Sequence, residues 1–211
     1  MALINLSVAE FSALTASNAP APGGGSVSAL VGALSAALAQ MVANLTVGRE
    51  KYAQAHDEMQ ALLNEVPAIE QALLQAVDAD SSAFDRYMAA LSMPKSTQEE
   101  KQLRTQAMQD GLKEAATVPF RVAAQASHLF PFLEKALTIG NPNAVTDAMV
   151  GTMLARTCIL GALFNVRVNL SSIHDAEFVT NLSKQCDELQ AVAQQEEKRL
   201  LQKIDFSFFS S

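Results

Sequence analysis

The chain has 211 residues, of which 49% are apolar and 18% charged, and its formal net charge at pH 7 is -7. This acidic balance argues against a nucleic-acid-binding protein, because phosphate contacts need a dense basic surface. Trp is absent and glycine is sparse, a composition that favours helices. No segment alternates apolar and polar residues with a period of two, so we predict one all-α domain over residues 1–211.

The first predicted helix begins at the capping box Ser7-Val8-Ala9-Glu10 and ends near Ser17. In such a box the Ser oxygen accepts from the third backbone N–H, and the Glu reaches back to the cap. The N-terminus has no basic region followed by an apolar run, so we expect no secretory signal.

The second predicted helix, from Ser26 to about Gly48, carries no charge and follows the sequence PAPGGG. Its length would suffice to cross a bilayer, but Ala dominates its apolar share and polar side chains interrupt it, so a membrane span is disfavoured. A row of small and polar residues indicates either close approach of another helix or the lining of a cavity. The row consists of Ser28, Gly32, Ala36, Gln40 and Asn44.

The three glycines raise the question of a phosphate loop. A P-loop requires Lys-Ser or Lys-Thr after its last glycine, whereas Gly25 is followed by Ser26-Val27. Backbone N–H groups at a glycine-rich helix start can still bind an anion. A tight turn packed against a neighbouring helix is an equally good interpretation.

A strongly amphipathic pattern runs from Arg49 through Met93 and predicts a long helix with a kink or break at Pro67. The sequence Ser96-Thr97-Gln98-Glu99 repeats the capping-box pattern. The helix that it begins should reach about Leu129, with interruptions near Gly111 and Pro119.

Pro131 begins a further short helix, and the turn GNPN, residues 140–143, precedes a nearly uncharged helix over residues 144–170. Asp175 is predicted to cap the last helix. Cys158 and Cys186 have no spacing typical of metal ligands or of a disulfide framework, so we predict both to be reduced and buried and the protein to be cytoplasmic.

Four ordered motifs resemble one family over nearly the whole chain, from Phe11 to about Asp175. The resemblance is to the cyclodeaminase half of formimidoyltransferase-cyclodeaminase and to the stand-alone methenyltetrahydrofolate cyclohydrolases. The motifs are PAPGGGSVSALVGALSAALAQMVANLT, DADSSAFDRYMAALSMPK, GNPNAVTDAMV and NVRVNLSSIHD.

This resemblance implies a single-domain bundle of long antiparallel helices that forms a homodimer. It also implies a tetrahydrofolate one-carbon derivative as substrate. It implies no metal, cofactor, nucleic-acid partner or membrane. Relatives commonly have Ser-Asp-Ala/Val-Gly where this chain has Thr146-Asp147-Ala148-Met149, so a bulky residue replaces a glycine. No formimidoyltransferase half is present in the 211 residues, which favours hydrolysis of 5,10-methenyltetrahydrofolate over cyclodeamination of formimidoyltetrahydrofolate. A non-catalytic folate-binding or assembly module is the other alternative.

Proton transfer at a tetrahedral carbon beside a cation suits a carboxylate. Asp147 lies near the start of an apolar helix, where the helix dipole favours an ionised side chain, although an ordinary first-turn acid is the structural alternative. Asp80 shares a helix face with Phe84, whose ring could stack on pterin, although solvated helix surface is the alternative. The resemblance favours Asp147 and Asp80 as catalytic residues, followed by Asp78.

Further residues are predicted to bind the substrate. The glycine-rich turn would supply backbone donors, positive side chains would meet the glutamate tail, and amides beside apolar helices would meet the pterin edge, although interhelical hydrogen bonds would satisfy such amides equally well. Asn165 and Asn169 belong to the same set of amides. The predicted binding residues are Gly23, Gly24, Gly25, Ser26, Asn44, Lys51, Phe84, Lys95, Asn141 and Asn143.

Overall fold

The computed structural model describes residues 2–204. These residues contain seven α-helices and three short 3-10 segments, and no strand occurs among them, so the all-α prediction is confirmed. The helices are α1 (Val8–Thr15), α2 (Gly24–Asn44), α3 (His56–Leu91), α4 (Gln98–Ser127), α5 (Phe130–Ile139), α6 (Val145–Leu170) and α7 (Ala176–Leu201).

Four long helices build the core, because α2 and α4 each pack against both α3 and α6. The α2–α3 pair is antiparallel. The Oγ of Ser26 donates to the Val77 carbonyl at 2.8 Å near one end, and the amide of Gln40 donates to Glu70 at 2.5 Å nearer the other. The shorter α5 and the long α7 pack against α6.

Small side chains let α2 approach its neighbours closely. A Cβ added at Gly32 would lie 2.6 Å from the Sγ of Cys158 on α6, so only glycine fits this crossing. Close helix approach is therefore the role of this part of the small-residue row, whereas Asn44 lies exposed at the end of the helix. Five alanines of α2 are also buried: Ala29, Ala33, Ala36, Ala39 and Ala43.

Two segments are long and apolar enough to cross a membrane by length and composition alone: Gly24–Asn44 and Pro142–Leu170. Within the fold, 56% and 44% of their most apolar windows are buried. The core helix of a globular fold has this character, because it must be apolar on most sides to pack against several neighbours.

Local capping signals give three helix starts. Ser7 and Glu10 form the predicted capping box, and Asp175 accepts from the N–H of Phe178 at 3.0 Å. The box predicted at Ser96 was wrong by one residue. Thr97 is the N-cap and pairs with Glu100, because its side chain rather than that of Ser96 reaches the third backbone N–H.

The breaks predicted in the long helices were wrong. Helix α3 continues through Pro67, and α4 continues through Gly111 and Pro119. A proline removes one hydrogen bond from a long helix, and burial along the helix outweighs that loss. On α3 the buried residues recur every three or four positions and so lie on one side of the helix. They are Met59, Leu62, Val66, Ile69, Leu73 and Val77.

An ion-pair network fastens α7 to α5. The guanidinium of Arg199 donates to both carboxylate oxygens of Glu134 at 2.7 Å, and Lys203 donates to the same carboxylate at 2.6 Å. Cys158 and Cys186 are both free thiols and buried, as predicted. Desolvation raises the pKa of the Cys158 thiol to about 12, so this side chain behaves as a small apolar group.

Candidate active site

A cavity of about 280 Å³ lies where α2 begins, between α3, α4 and the C-terminal part of α6. The antiparallel packing of the core places these segments together, although they are far apart along the chain. The residues that line the cavity are Pro20, Ala21, Gly23, Gly24, Asp80, Ser81, Phe84, Tyr87, Ala115, Asn165, Val168 and Asn169.

Asp80 reaches from α3 to the N-terminus of α2. Gly23 is the N-cap of α2 and has no side chain to accept from the first N–H groups. The carboxylate of Asp80 takes that role by accepting from the backbone N–H of Ser26, and its Oδ2 lies 3.5 Å from the Ser26 Oγ. Burial raises the pKa of Asp80 above its usual 3.8, and the hydrogen bonds from Ser26 oppose part of this rise.

The glycines of the turn make this contact possible. A Cβ at Gly25 would collide with the carboxylate of Asp80, and a Cβ at Gly24 would lie 3.3 Å from the Nδ2 of Asn165. A Cβ at Gly23 would meet no atom within 4 Å. Helix geometry leaves the N–H groups of Gly24 and Gly25 without partners inside α2, so these donors are available beside the carboxylate.

Two aromatic rings of α3 lie on the same side as Asp80. Phe84 follows Asp80 by one turn and is 40% exposed, and Tyr87 follows Phe84 by three residues. The absence of a side chain at Gly111 lets α4 pack against Tyr87, since a Cβ there would be 3.2 Å from the Tyr87 Cα. The cavity therefore offers aromatic surface to a flat ring.

The wall formed by α6 carries two amides of fixed orientation. The Nδ2 of Asn169 donates to the carbonyls of Ala115 and Asn165 at 3.1 and 2.9 Å, and the Nδ2 of Asn165 donates to the carbonyl of Gly161 at 2.8 Å. Flipping either amide would turn its oxygen against a carbonyl oxygen. Both Oδ1 atoms are thereby fixed as acceptors for a ligand.

Asn165 and Asn169 are not among the binding residues predicted from the sequence, although they belong to the wider set of amides. Their spacing of four residues on an apolar helix was the available signal. Tyr87 and Val168 were not selected either, because an isolated aromatic or apolar residue on a helix is more often part of a core.

The cavity is lined by a single ionisable carboxylate and by no basic side chain. Asp80 is the one carboxylate among the lining residues, and that set contains no Lys, Arg or His. Of the sequence-predicted residues, Gly23, Gly24, Asp80 and Phe84 line the cavity, and Gly25 and Ser26 adjoin it through Asp80.

Asp147 and the second amide cluster lie at the opposite end of the core helices. Asp147 is in the first turn of α6, eighteen residues before Asn165, which corresponds to about 27 Å along a helix. Asn141 is buried, and its side chain donates to the Leu45 carbonyl and accepts from Tyr52. Chain atoms therefore satisfy Asn141, while Asn143 lies exposed beside it.

The predicted positive residues also lie away from the cavity. Lys51 lies 5.4 Å from the ring centre of Tyr52 near the same distant end, and Lys95 is exposed in the connection after α3. Asp78 accepts from the N–H of Leu3 at 2.6 Å and so anchors the N-terminal segment. One chain thus brings Asp80 and the glycine-rich turn together and keeps Asp147, Asn141 and Lys51 apart from them.

A family model described as formiminotransferase-cyclodeaminase matches residues 7–188. The chain belongs to the formiminotransferase-cyclodeaminase family.

Among the described residues, no cluster of three His, Cys, Asp or Glu side chains is placed to hold a metal ion.

Relatives of two lengths are similar to the chain. It is 38% identical to a formimidoyltransferase-cyclodeaminase of Rattus norvegicus over 83% of its own length, but it spans only about a third (32%) of that protein. It is 35% identical to a methenyltetrahydrofolate cyclohydrolase of Methylorubrum extorquens, with coverage of 84% of this chain and 86% of the relative.

The fold also matches a solved structure of this family. The crystal structure of a formiminotetrahydrofolate cyclodeaminase from Thermotoga maritima superposes with a TM-score of 0.82 and 32% identity, covering 93% of this chain and 94% of the other. The predicted fold and family are confirmed by these similarities.

Proposed function

We propose that the protein hydrolyses 5,10-methenyltetrahydrofolate to 10-formyltetrahydrofolate. The observation that carries the proposal is the cavity at the start of α2, which is lined by one desolvated carboxylate and two aromatic rings and by no lysine, arginine or histidine. The substrate is a flat ring system with a cationic one-carbon bridge. Such a cation is attracted by Asp80 and would be repelled by a basic side chain.

The reaction assigns a proton-accepting role to Asp80. Water attacks the methenyl carbon while the Asp80 carboxylate takes a proton from the water, which forms a neutral tetrahedral carbon. The bond from this carbon to N5 then breaks as the hydroxyl group loses its proton and becomes the formyl oxygen, and N5 receives a proton. The products are 10-formyltetrahydrofolate and one proton, because the substrate carried one positive charge. A raised pKa makes Asp80 a stronger base than an exposed aspartate.

The hydrolytic reaction is supported by the similarity to the Methylorubrum extorquens methenyltetrahydrofolate cyclohydrolase, which is 35% identical to this chain. Cyclodeamination of formimidoyltetrahydrofolate is the second candidate, supported by the Thermotoga maritima structure. There N10 attacks the formimino carbon and ammonia leaves, and the same carboxylate would serve in proton transfer.

Two assays separate these reactions. Loss of the ultraviolet absorbance of 5,10-methenyltetrahydrofolate above the buffer rate would support hydrolysis. Release of ammonia from formimidoyltetrahydrofolate would support cyclodeamination. If neither substrate reacts although reduced folate binds, the catalytic proposal is wrong and a folate-binding module takes its place.

We further propose a cytoplasmic homodimer. Six exposed apolar side chains lie on the two neighbouring helices α2 and α6, and we call this set the α2–α6 face: Leu34, Met41, Val150, Met153, Phe164 and Val168. From their exposed fractions of 37–67%, these side chains present roughly 500–600 Å² per chain, against about 800 Å² per partner in a standard interface. An exposed apolar patch of this size is at the upper end of what monomers present and often marks an interaction site.

A further inference from the structure

We propose that Asp147 of the partner subunit completes the cavity, and that it reaches the cavity because two α6 helices pack antiparallel across the α2–α6 face. The inference rests on the proposed function for what the site does. Its geometry rests on α6 alone.

The exposed positions of α6 form one uncharged stripe. Successive members are three, four or seven residues apart, which keeps them on the same side of the helix. They are Thr146, Val150, Met153, Thr157, Phe164 and Val168. The stripe is about 33 Å long and ends beside the cavity, since Val168 also lines it.

Twofold symmetry fixes the register of two such stripes. A C2 interface uses the same patch on both copies, and an antiparallel pair covers the whole stripe when the axis passes its midpoint at Thr157. In that register Val150 lies opposite Phe164 of the partner subunit. Both residues are about half exposed or more in the single chain, at 48% and 63%, so the pairing buries apolar surface on each side.

In the same register, Asp147 of the partner subunit lies level with Arg167 along the helix axis. This position is within one turn of Asn165 and Val168. Asp147 and Asn165 are separated by eighteen residues, five full turns of an α-helix, so they project from the same side of α6. That side faces α2 at the cavity, where Asn165 lies against Gly24. An axis perpendicular to the helices preserves this side in both copies.

Asp147 has no competing partner in its own chain. Its side chain is half-buried and forms no hydrogen bond or ion pair within residues 2–204. At the cavity it would add a second carboxylate beside a cationic substrate. The positive charge of the substrate favours the ionised form of both carboxyl groups. An axis parallel to the helices is the other way to pair the faces. It would place the two Asp147 carboxylates at one end and both cavities at the other.

Cross-linking tests the arrangement without any assay of activity. Thr157→Cys places one thiol on the proposed axis, so mild oxidation should produce a disulfide-linked dimer. Cys158 and Cys186 are buried and should not react. Val192→Cys is the control, because Val192 is 44% exposed but lies on α7, away from this face. A monomeric wild-type protein, or a dimeric Thr157→Cys protein that fails to cross-link, would overturn the arrangement.

Subunit complementation tests the shared site. Asp80→Asn and Asp147→Asn homodimers should each lose at least about a hundredfold in turnover, the scale of acid–base catalysis. A mixed dimer contains one cavity with both changes and one with neither. After subunit exchange at equal amounts, activity should therefore recover to about a quarter of wild type.

Three results would overturn the shared site. They are wild-type turnover in Asp147→Asn, no recovery in mixed dimers whose exchange is verified by mass spectrometry, and binding of a lipid vesicle rather than a second copy by the α2–α6 face. If the wild-type protein converts neither folate, the proposed function fails, and the cross-link still decides the arrangement.

Discussion

Two opposing effects act on the carboxyl group of Asp80. Burial raises its pKa above 3.8, while the hydrogen bonds from Ser26 favour the ionised form. Because the folded-state pKa is the higher one, the folded protein binds this proton more tightly than the unfolded chain, and stability falls as pH rises from about 3.8. At neutral pH the ionised Asp80 therefore destabilises the fold.

Asp80→Asn should separate stability from activity. The amide removes the buried charge but can still accept from Ser26, so the thermal midpoint should stay equal or rise. Turnover of methenyltetrahydrofolate should fall by about two to four powers of ten, because the amide cannot take a proton from water. Steady-state kinetics and thermal unfolding on one preparation measure both effects. An Asp80→Asn protein with wild-type turnover would show that Asp80 takes no part in the mechanism.

Gly25→Ala should damage the site through Asp80. The new Cβ occupies the place of the carboxylate, so Asp80 must turn away from Ser26 and turnover should fall about as far as in Asp80→Asn. Gly23→Ala is the control for folding, because its Cβ meets no atom within 4 Å. Circular dichroism should show equal helical content in both variants. A Gly25→Ala protein of normal activity would contradict the importance of this contact.

Asn169→Leu should weaken substrate binding more than chemistry. The fixed Oδ1 of Asn169 is lost, and a ligand N–H left without an acceptor typically costs about 1–3 kcal/mol, or roughly ten- to a hundredfold in KM. Asn181→Leu is the matched control, since Asn181 is exposed on α7. A change in kcat with KM unchanged would exclude a role in recognition.

At the scale of single elements, signals contained within one turn were predictable. The Ser7 capping box and the Asp175 cap depend only on neighbouring residues. The breaks expected at Pro67 and Pro119 were wrong because a lost hydrogen bond is a local quantity, whereas the burial that holds α3 and α4 together depends on helices elsewhere in the chain.

The ion pairs that attach α7 to α5 should weaken at acid pH. Hydrogen bonds from Arg199 and Lys203 lower the pKa of Glu134 from 4.5 to about 2. A depressed pKa means that stability is present above 4.5 and is lost as pH falls towards 2. Glu134→Gln should therefore narrow the stability difference between pH 7 and pH 3, by less than about 1 kcal/mol because the pair is partly exposed.

Chemical denaturation at the two pH values measures this effect. Glu177→Gln is a suitable control, because Glu177 lies in the first turn of α7 and belongs to no ion pair among residues 2–204. An identical pH dependence in wild type and Glu134→Gln would show that the network does not contribute to folding stability.

At the scale of the whole molecule, the sequence motifs indicated which segments bear chemistry but not which ends meet. Gly23–Ser26 and Asp80 come together because α2 and α3 are antiparallel, which motif order does not reveal. The same topology carries Asp147 and Asn141 to the far end of the core. Asn141 was selected as an amide beside an apolar helix, and contacts to Leu45 and Tyr52 account for it.

Phe164→Glu should disrupt the proposed dimer while leaving the chain folded. Phe164 is 63% exposed in the single chain, so a glutamate there is solvated in the monomer. In the dimer the same carboxylate would be buried in the α2–α6 face with no opposite charge to pair with. The dimer dissociation constant should rise by at least about a hundredfold, since a buried unpaired charge costs several kcal/mol. Sedimentation at several protein concentrations measures it.

Activity should follow the oligomeric state. If each cavity needs the second copy, Phe164→Glu should lose turnover at concentrations where it is monomeric, and activity per chain should recover as concentration rises. Leu103→Glu is the matched control, because Leu103 is 58% exposed on α4, outside the α2–α6 face. A monomeric Phe164→Glu protein with full turnover would show that one chain suffices for the site, and Asp80 would then act without Asp147.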